Sequence, residues 1–130
     1  MNGLIKLTSS WIFLGAIFLC SFFTKEEPLL GKWRNKRYGV EVMIYKKKEL
    51  YFGLVTDAGN KKGNEKIKKS PLQVLKEFKR TSDSTYCCGQ IFLPKIGVHV
   101  PASIRLNGPN NLVAEGFVMG LKTSSYWTKL

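Results

Sequence analysis

Apolar and polar positions alternate along most of the chain beyond residue 30, and this period of two is typical of β-strands with one buried face. The alternation is clearest in residues 40–45 and 49–55, which are separated by three lysines that favour a hairpin turn. We expect one face of each segment to point into a core. The apolar side chains on this face are Val40, Val42 and Ile44 in the first segment and Leu50, Phe52 and Leu54 in the second.

Six further short segments continue the strand pattern, and turn-forming residues separate several of them, as at residues 94–97 and 107–111. Eight short strands predict an all-β fold. Closure into an antiparallel meander barrel is favoured because it removes the unpaired edges of a flat sheet. We interpret residues 57–70 as one long polar loop. The six further strands are predicted at 31–34, 73–78, 85–93, 98–106, 112–119 and 124–129.

Residues 1–24 differ in character from the rest of the chain. No charge lies between Leu7 and Phe23, and a helix over this stretch would be roughly 25 Å long, shorter than the ~30 Å hydrocarbon core of a membrane. We therefore interpret residues 1–24 as a signal peptide. Two alternatives remain open: lipidation of Cys20, which follows a lipobox-like Ile-Phe-Leu sequence, and an uncleaved membrane anchor. All three predict that residues 25–130 form one exported barrel domain, periplasmic or associated with the cell envelope.

The composition is that of a folded and strongly basic protein. The 130 residues suffice for one ordinary domain, and 44% of them are hydrophobic, which excludes a disordered chain. Lysine and arginine outnumber aspartate and glutamate by 21 to 9, a formal charge of +12. Export argues against nucleic acid as a partner, so we consider either a solubilising surface or contact with an anionic membrane. The basic cluster of the long loop consists of Lys61, Lys62, Lys66, Lys68 and Lys69.

The few residues with catalytic or metal-binding chemistry are poorly placed for either. If the fifth and sixth predicted strands form a hairpin, His99 faces about Phe92, and Cys87 and Cys88 lie roughly 13–17 Å away at ~3.3 Å per residue. That separation is too long for proton transfer, and two adjacent cysteines with one histidine do not make a zinc site. We expect no enzyme activity, no metal and no cofactor. Adjacent cysteines bridge each other only through a strained ring, so we interpret this pair as two small strand residues.

Short segments over residues 30–130 have an order and spacing more specific than any single motif. They are 30–33, 40–45, 50–55, 74–78, 89–94, 112–117 and 126–129. In these segments the chain resembles the domain of unknown function 2147 family of small exported bacterial proteins. The resemblance implies an eight-stranded, lipocalin-like barrel and export, and no established reaction. The chain departs from the family pattern at residues 86–89, where Tyr-Cys-Cys-Gly replaces Trp-x-Gly-Gly.

The Gly31-x-Trp33 sequence is also similar to the Gly-x-Trp signature of lipocalins. In those barrels the tryptophan closes the base, and a basic residue of the last strand lies across its ring in a cation–π contact. The resemblance implies the same structural role for Trp33, with Lys129 as its partner and Arg105 as the alternative.

An eight-stranded barrel is either filled by its own side chains or wide enough for one small ligand, and we favour a mostly filled core. The first function hypothesis is an exported, non-enzymatic envelope protein that binds a small hydrophobic or amphipathic ligand inside the barrel. The second is a basic surface module that contacts an anionic membrane or another envelope partner. The candidate ligand-binding residues of the interior are Val42, Ile44, Phe52, Leu54, Ile91, Phe117 and Trp127.

Overall fold

The chain folds as a closed β-barrel in a computed structural model that describes residues 27–130. Each strand pairs antiparallel with its neighbours in sequence, and the last strand pairs with the first, which confirms the predicted all-β meander barrel. One helix, α1, follows the third strand. The elements are β1 (Gly31–Asn35), β2 (Glu41–Lys47), β3 (Leu50–Asp57), α1 (Lys61–Lys69), β4 (Gln73–Arg80), β5 (Thr85–Leu93), β6 (Val98–Leu106), β7 (Asn111–Val118) and β8 (Leu121–Lys129).

Helix α1 corrects the interpretation of residues 57–70 as a loop. The side chain of Asn60 caps its first turn by accepting a hydrogen bond of 2.6 Å from the backbone N–H of Gly63. Lysines in the last turn interact favourably with the negative end of the helix dipole. Ile67 is the one apolar residue of the helix and packs against the core. Because a single apolar residue produces no helical period, the hydrophobic pattern did not predict this helix.

The inward face of β3 is the opposite of the predicted one. Tyr51, Gly53 and Val55 are buried, whereas the alternate residues, including Phe52 and Leu54, are only partly buried on the outer face. Both faces of this strand carry apolar side chains, so alternation alone could not distinguish them. Packing against β4 distinguishes the two faces. A Cβ atom at position 53 would lie 2.9 Å from Leu75, so only glycine fits at this point of the inner face.

Large side chains fill the interior of the barrel. Phe78 packs over Gly89, where an added Cβ would lie 2.5 Å from the Phe78 ring. Such close packing is expected of a protein interior, which has few voids larger than a water molecule. The largest side chains that are less than 2% exposed are Trp33, Tyr51, Tyr86, Phe78, Leu29, Leu75, Ile104, Leu112 and Val42.

The two ends of the barrel are built differently. At one end, which we call the base, residues 27–30 lie beside the turns that join β2 to β3, β4 to β5 and β6 to β7. Leu29 is fully buried there, and its carbonyl oxygen accepts a hydrogen bond of 2.9 Å from Trp33 Nε1. At the other end, the helix end, α1 accompanies the turns at residues 36–40, 94–97 and 119–120.

Cys87 and Cys88 form a disulfide with each other, so the interpretation of them as unbridged strand residues was wrong. The pairing of β5 with β6 shifts between Tyr86 and Gly89, and Cys88 has a positive φ of 67°. In a regular strand adjacent side chains point to opposite faces. The irregular backbone at this bulge lets the two sulfur atoms meet.

Candidate ligand site at the base of the barrel

Five polar side chains form a cluster at the base, and three different parts of the fold supply them. Lys46 and Tyr51 flank the turn between β2 and β3, while Arg80 and Tyr86 flank the turn between β4 and β5. Glu27 comes from the segment that lies across the base. Antiparallel pairing places both turns at the same end of the barrel, which brings these residues together.

The carboxylate of Glu27 is the centre of the cluster. Its Oε1 atom accepts hydrogen bonds of 2.6 Å from the Tyr51 hydroxyl and 3.3 Å from Lys46 Nζ. Arg80 Nη1 lies 3.6 Å from the same oxygen atom. The backbone carbonyls of Ser82 and Asp83 accept hydrogen bonds from the Arg80 guanidinium and hold it in place. Two cations and one phenol therefore surround one carboxylate.

Tyr86 is the unusual member of the cluster. It is 1% exposed, and its hydroxyl oxygen has no hydrogen-bond partner among the described residues. Its ring meets the Tyr51 ring edge to face at 5.0 Å, and the Arg80 guanidinium carbon lies 6.0 Å from its centroid. Because an unpaired buried hydroxyl costs about 1–3 kcal/mol, such a group needs an explanation.

The titration of the cluster follows from these contacts. Burial, followed by the hydrogen bond to the Glu27 carboxylate, raises the pKa of Tyr51 to about 12. Partial burial acts to raise the pKa of Glu27, but the bonds from Tyr51 and Lys46 and the nearby positive charges outweigh it and lower the pKa. Burial also raises the pKa of Tyr86. At neutral pH the cluster therefore holds one carboxylate, two cations and two neutral phenols.

The residues predicted to line a ligand cavity divide into two groups. Phe52, Leu54 and Phe117 lie on the outer face, so their assignment to the barrel interior was wrong. Phe52 stacks on Tyr45 with centroids 5.7 Å apart, and Phe117 is 44% exposed. The inward residues belong to the packed core, and they are Val42, Ile44, Ile91 and Trp127.

Phe117 instead lines a shallow outer groove of about 500 Å³ together with the disulfide Cys87–Cys88 and Pro101. The assignment of this phenylalanine to the interior was made without the register of β7. Pairing of Gly116 with Ala102 on the inner face directs Phe117 outward.

The predicted contact between Trp33 and Lys129 is present. The two residues are paired across β1 and β8, and Lys129 Nζ lies 5.1 Å from the centroid of the Trp33 ring. The same ammonium group donates hydrogen bonds to the carbonyl oxygens of Pro28 and Leu30. Gly31 has a φ of 123°, and a Cβ there would lie 3.3 Å from Lys129 Cε. Arg105 is not the partner, because it forms an ion pair with Glu115 instead.

The remaining predicted sites lie elsewhere. The five lysines of the predicted long loop are all exposed on α1 at the helix end, at the opposite end of the barrel from the base cluster. Cys20 lies outside the described residues, as does the predicted export segment. Among residues 27–130 no group of three histidine, cysteine, aspartate or glutamate side chains is placed to hold a metal ion. Within the same range no helix is long and apolar enough to cross a membrane.

Sequence reasoning missed the base cluster. Its five members are separated in the chain, and none of them belongs to a recognisable sequence motif. No signal in the sequence joined them, because Gly53, which shares a strand face with Tyr51, marks the close approach of Leu75 and not of the cluster.

Three comparisons with known proteins bear on the family of this chain. The sequence profile of a family described as an uncharacterized protein conserved in bacteria, DUF2147, matches residues 31–129, from the first residue of β1 to the last of β8. No curated protein and no solved structure is significantly similar to the chain.

Proposed function

Because the chain belongs to the DUF2147 family, whose activity is uncharacterized, we propose a function from its own side chains: an exported, non-enzymatic barrel that binds a small amphipathic ligand at its base. The buried hydroxyl of Tyr86, which has no partner among the described residues, carries this proposal. A ligand that accepts a hydrogen bond from this hydroxyl would remove the cost of leaving it unpaired.

The head group of the ligand is anionic. Lys46, Arg80 and the Tyr51 hydroxyl already surround a carboxylate, that of Glu27. When Glu27 turns outward, two cations and the Tyr51 hydroxyl are left around one position, and the ring of Tyr86 packs against that of Tyr51 beside it. Charge-assisted hydrogen bonds of this kind are about twice as strong as neutral ones, which favours a carboxylate in that place.

The apolar part of the ligand replaces Leu29. Glu27 and Leu29 belong to one short segment, which places a carboxylate among the cations and a fully buried aliphatic side chain in the core. This segment is therefore the chain's own amphipathic occupant of the base. Exposing a buried leucine costs about 2 kcal/mol, so a ligand that displaces the segment needs an aliphatic group of at least similar size.

Binding without catalysis is supported by the surroundings of the nucleophilic residues. His99 Nε2 lies 2.7 Å from the carbonyl oxygen of Gln73, and its ring meets that of Phe92. Cys87 and Cys88 are joined to each other, so neither offers a thiolate. Export is proposed from the apolar segment of residues 1–24.

Sodium octanoate and neutral 1-octanol are suitable probes, with affinities measured by calorimetry on the full chain. We expect octanoate to bind more tightly than octanol. Glu27→Ala removes the competing carboxylate and should tighten octanoate binding about tenfold, while Tyr86→Phe should weaken it about tenfold through loss of a bond to a charged group.

Glu49→Ala is the matched control for Glu27→Ala. The Glu49 carboxylate also lies at the base, 3.5 Å from Lys46, but it is 89% exposed. Glu49→Ala should leave octanoate binding unchanged. Equal binding of both probes, or no response to either base variant, would contradict the proposal. If the unpaired Tyr86 hydroxyl had no role in ligand binding, Tyr86→Phe would change thermal stability alone and leave octanoate binding unchanged.

A further inference from the structure

The connections at the two ends of the barrel differ in formal charge. At the helix end, the connections 36–40, 58–72, 94–97 and 119–120 contain eight basic residues and one acidic residue, a formal charge of +7. At the base, residues 27–30 and the turns 48–49, 81–84 and 107–110 contain one basic and three acidic residues, a formal charge of −2. Lys46 and Arg80 flank the base turns and bring that end to zero, so the basic surplus of the connections lies at the helix end.

The exposed apolar residues share this asymmetry. The described residues include eight exposed large hydrophobic side chains, and six of these are at or next to the helix end. Met119, at the tip of the turn between β7 and β8, is 97% exposed, and Leu121 beside it is 75% exposed. The six residues are Tyr38, Ile96, Val98, Phe117, Met119 and Leu121.

The charged and apolar groups lie side by side. A Cβ at Gly59, just before α1, would lie 3.1 Å from the carbonyl oxygen of Tyr38, so the loop leading into the lysine helix packs on the turn that carries Tyr38. Ile96 follows Lys95 in its turn, and Tyr38 follows Lys36 and Arg37. Each of these apolar tips is thus accompanied by at least one cation.

We propose that the helix end docks onto an anionic lipid bilayer, with Ile96, Met119 and Leu121 inserted below the head groups and the α1 lysines placed against the phosphates. Lysine stems extend along apolar surface while their ammonium groups stay at the polar boundary, which suits this position. Each basic residue near an anionic membrane adds favourable energy, and an apolar face inserted into the boundary region adds more.

The charge of the helix end, together with its exposed apolar residues, favours a bilayer over a second copy of the chain or a nucleic acid. A second copy docked through the same end would bring another +7 surface against the first, so like charges would oppose it. The base of a second copy, where Lys46 and Arg80 offset the acidic turns, offers no net negative charge. A nucleic acid would match the lysines but would leave Met119 and Leu121 in water. An anionic bilayer offers phosphates to the lysines and an apolar layer to Met119 and Leu121. Docking is independent of the ligand site, because the base faces away from the membrane in this orientation.

A fluorescent label that reports on its environment tests the orientation. In the full chain with Cys20→Ser, a single label cysteine is introduced by Met119→Cys at the helix end or by Ser84→Cys at the base. Ser84 is exposed in the turn between β4 and β5, so it is the matched control. We expect the emission of the 119 label alone to shift to the blue on equimolar phosphatidylglycerol and phosphatidylcholine vesicles, and high salt to reverse the shift.

Other results would overturn the proposal. The absence of a shift at position 119, or an equal shift at position 84, would show that this end does not enter the bilayer selectively. An undiminished shift on pure phosphatidylcholine would contradict the role of the lysines. The N-terminal segment joins the described residues at the base, so its insertion into the bilayer would bring position 84 rather than position 119 to the membrane. A shift at position 119 alone therefore reports on the helix end.

Charge removal provides a second test. Replacing the five α1 lysines by glutamine should lower partitioning onto the anionic vesicles about 100-fold or more. The matched control removes five lysines of the strands and the base turn and should lower it less than about tenfold. Equal losses would show that net charge alone drives binding. The control positions are Lys32, Lys47, Lys48, Lys76 and Lys79.

Discussion

Glu27 shows at the scale of a single residue how its neighbours give a carboxylate both a position and a titration behaviour. Tyr51 and Lys46 donate hydrogen bonds to it, and together with Arg80 they lower its pKa despite partial burial. Tyr51 is the converse case, since burial and the nearby carboxylate raise its pKa to about 12 and keep its proton available for donation. The hydrogen bond between Tyr51 and Glu27 thus contributes to both pKa shifts.

The lowered pKa of Glu27 predicts a pH dependence of stability. Its ionised form is favoured by folding, so its contribution is present above the ordinary value of 4.5 and is lost as the pH falls through the lower folded pKa. Wild type should exceed Glu27→Gln in melting temperature by a few degrees at neutral pH, and the difference should vanish in acid. Thermal unfolding followed by circular dichroism at several pH values measures this.

Glu49→Gln controls for the loss of a charge at the same end. Because Glu49 is 89% exposed, its replacement should change the melting temperature little at any pH. A difference between wild type and Glu27→Gln that stays constant into acid would contradict the role of the ionised carboxylate.

At the scale of the elements, local signals set where strands begin and end, while packing sets which face turns inward. The bounds of β5 and β6 agree with the prediction at both ends, and His99 is paired with Phe92 as the hairpin argument expected. In β3 the predicted face was reversed, because its two faces are both apolar. The glycine opposite Leu75 was the informative residue, and its meaning depends on the register with β4.

Gly89 in β5 provides a test of this packing. An added Cβ would lie 2.5 Å from the Phe78 ring and 2.6 Å from the Lys76 carbonyl oxygen, and the backbone atom cannot move aside easily. Gly89→Ala should therefore destabilise the protein by about 1–3 kcal/mol, as overpacking usually does. Urea unfolding of the purified variants measures the change in the free energy of unfolding.

Gly116→Ala is the comparison, since an added Cβ there would lie 3.1 Å from a methyl group of Ile91 and 3.2 Å from one of Val100. These distances are longer than at Gly89, and neither contact is with the backbone. Its loss of stability should be smaller than that of Gly89→Ala. Equal losses would indicate a general intolerance of side chains in the strands rather than a specific contact with Phe78 and the β4 backbone.

At the scale of the whole molecule, closure depends on contacts between the two ends of the described chain. Trp33 bonds to Leu29 at the base, and Lys129 of the last strand reaches both the Trp33 ring and the carbonyls of residues 28 and 30. These contacts hold residues 27–30 across the base, where the base cluster forms. The same residues thus stabilise the barrel and hold the segment that carries Glu27 in place.

Trp33→Ala should lower the melting temperature sharply. Truncating a fully buried tryptophan costs about 3–5 kcal/mol, which corresponds to a fall of roughly 12–30 °C for a domain of this size. Tyr38→Ala, at a position that is 55% exposed, should change it by only a few degrees. An unchanged melting curve for Trp33→Ala, measured by calorimetry, would remove the closure role of this residue.

The strands, most of the turns between them and the family follow from the sequence, because alternation, turn residues and motif spacing are all local in the chain. The base cluster and the unequal charge of the two ends follow only from the tertiary structure. Glu27 meets Tyr51 across 24 positions, and Lys129 meets Pro28 across 101. Such contacts depend on register and closure, which no local pattern encodes. The charge of +12 was visible in the composition, but only antiparallel closure gathers much of it, with the exposed apolar tips, at one end.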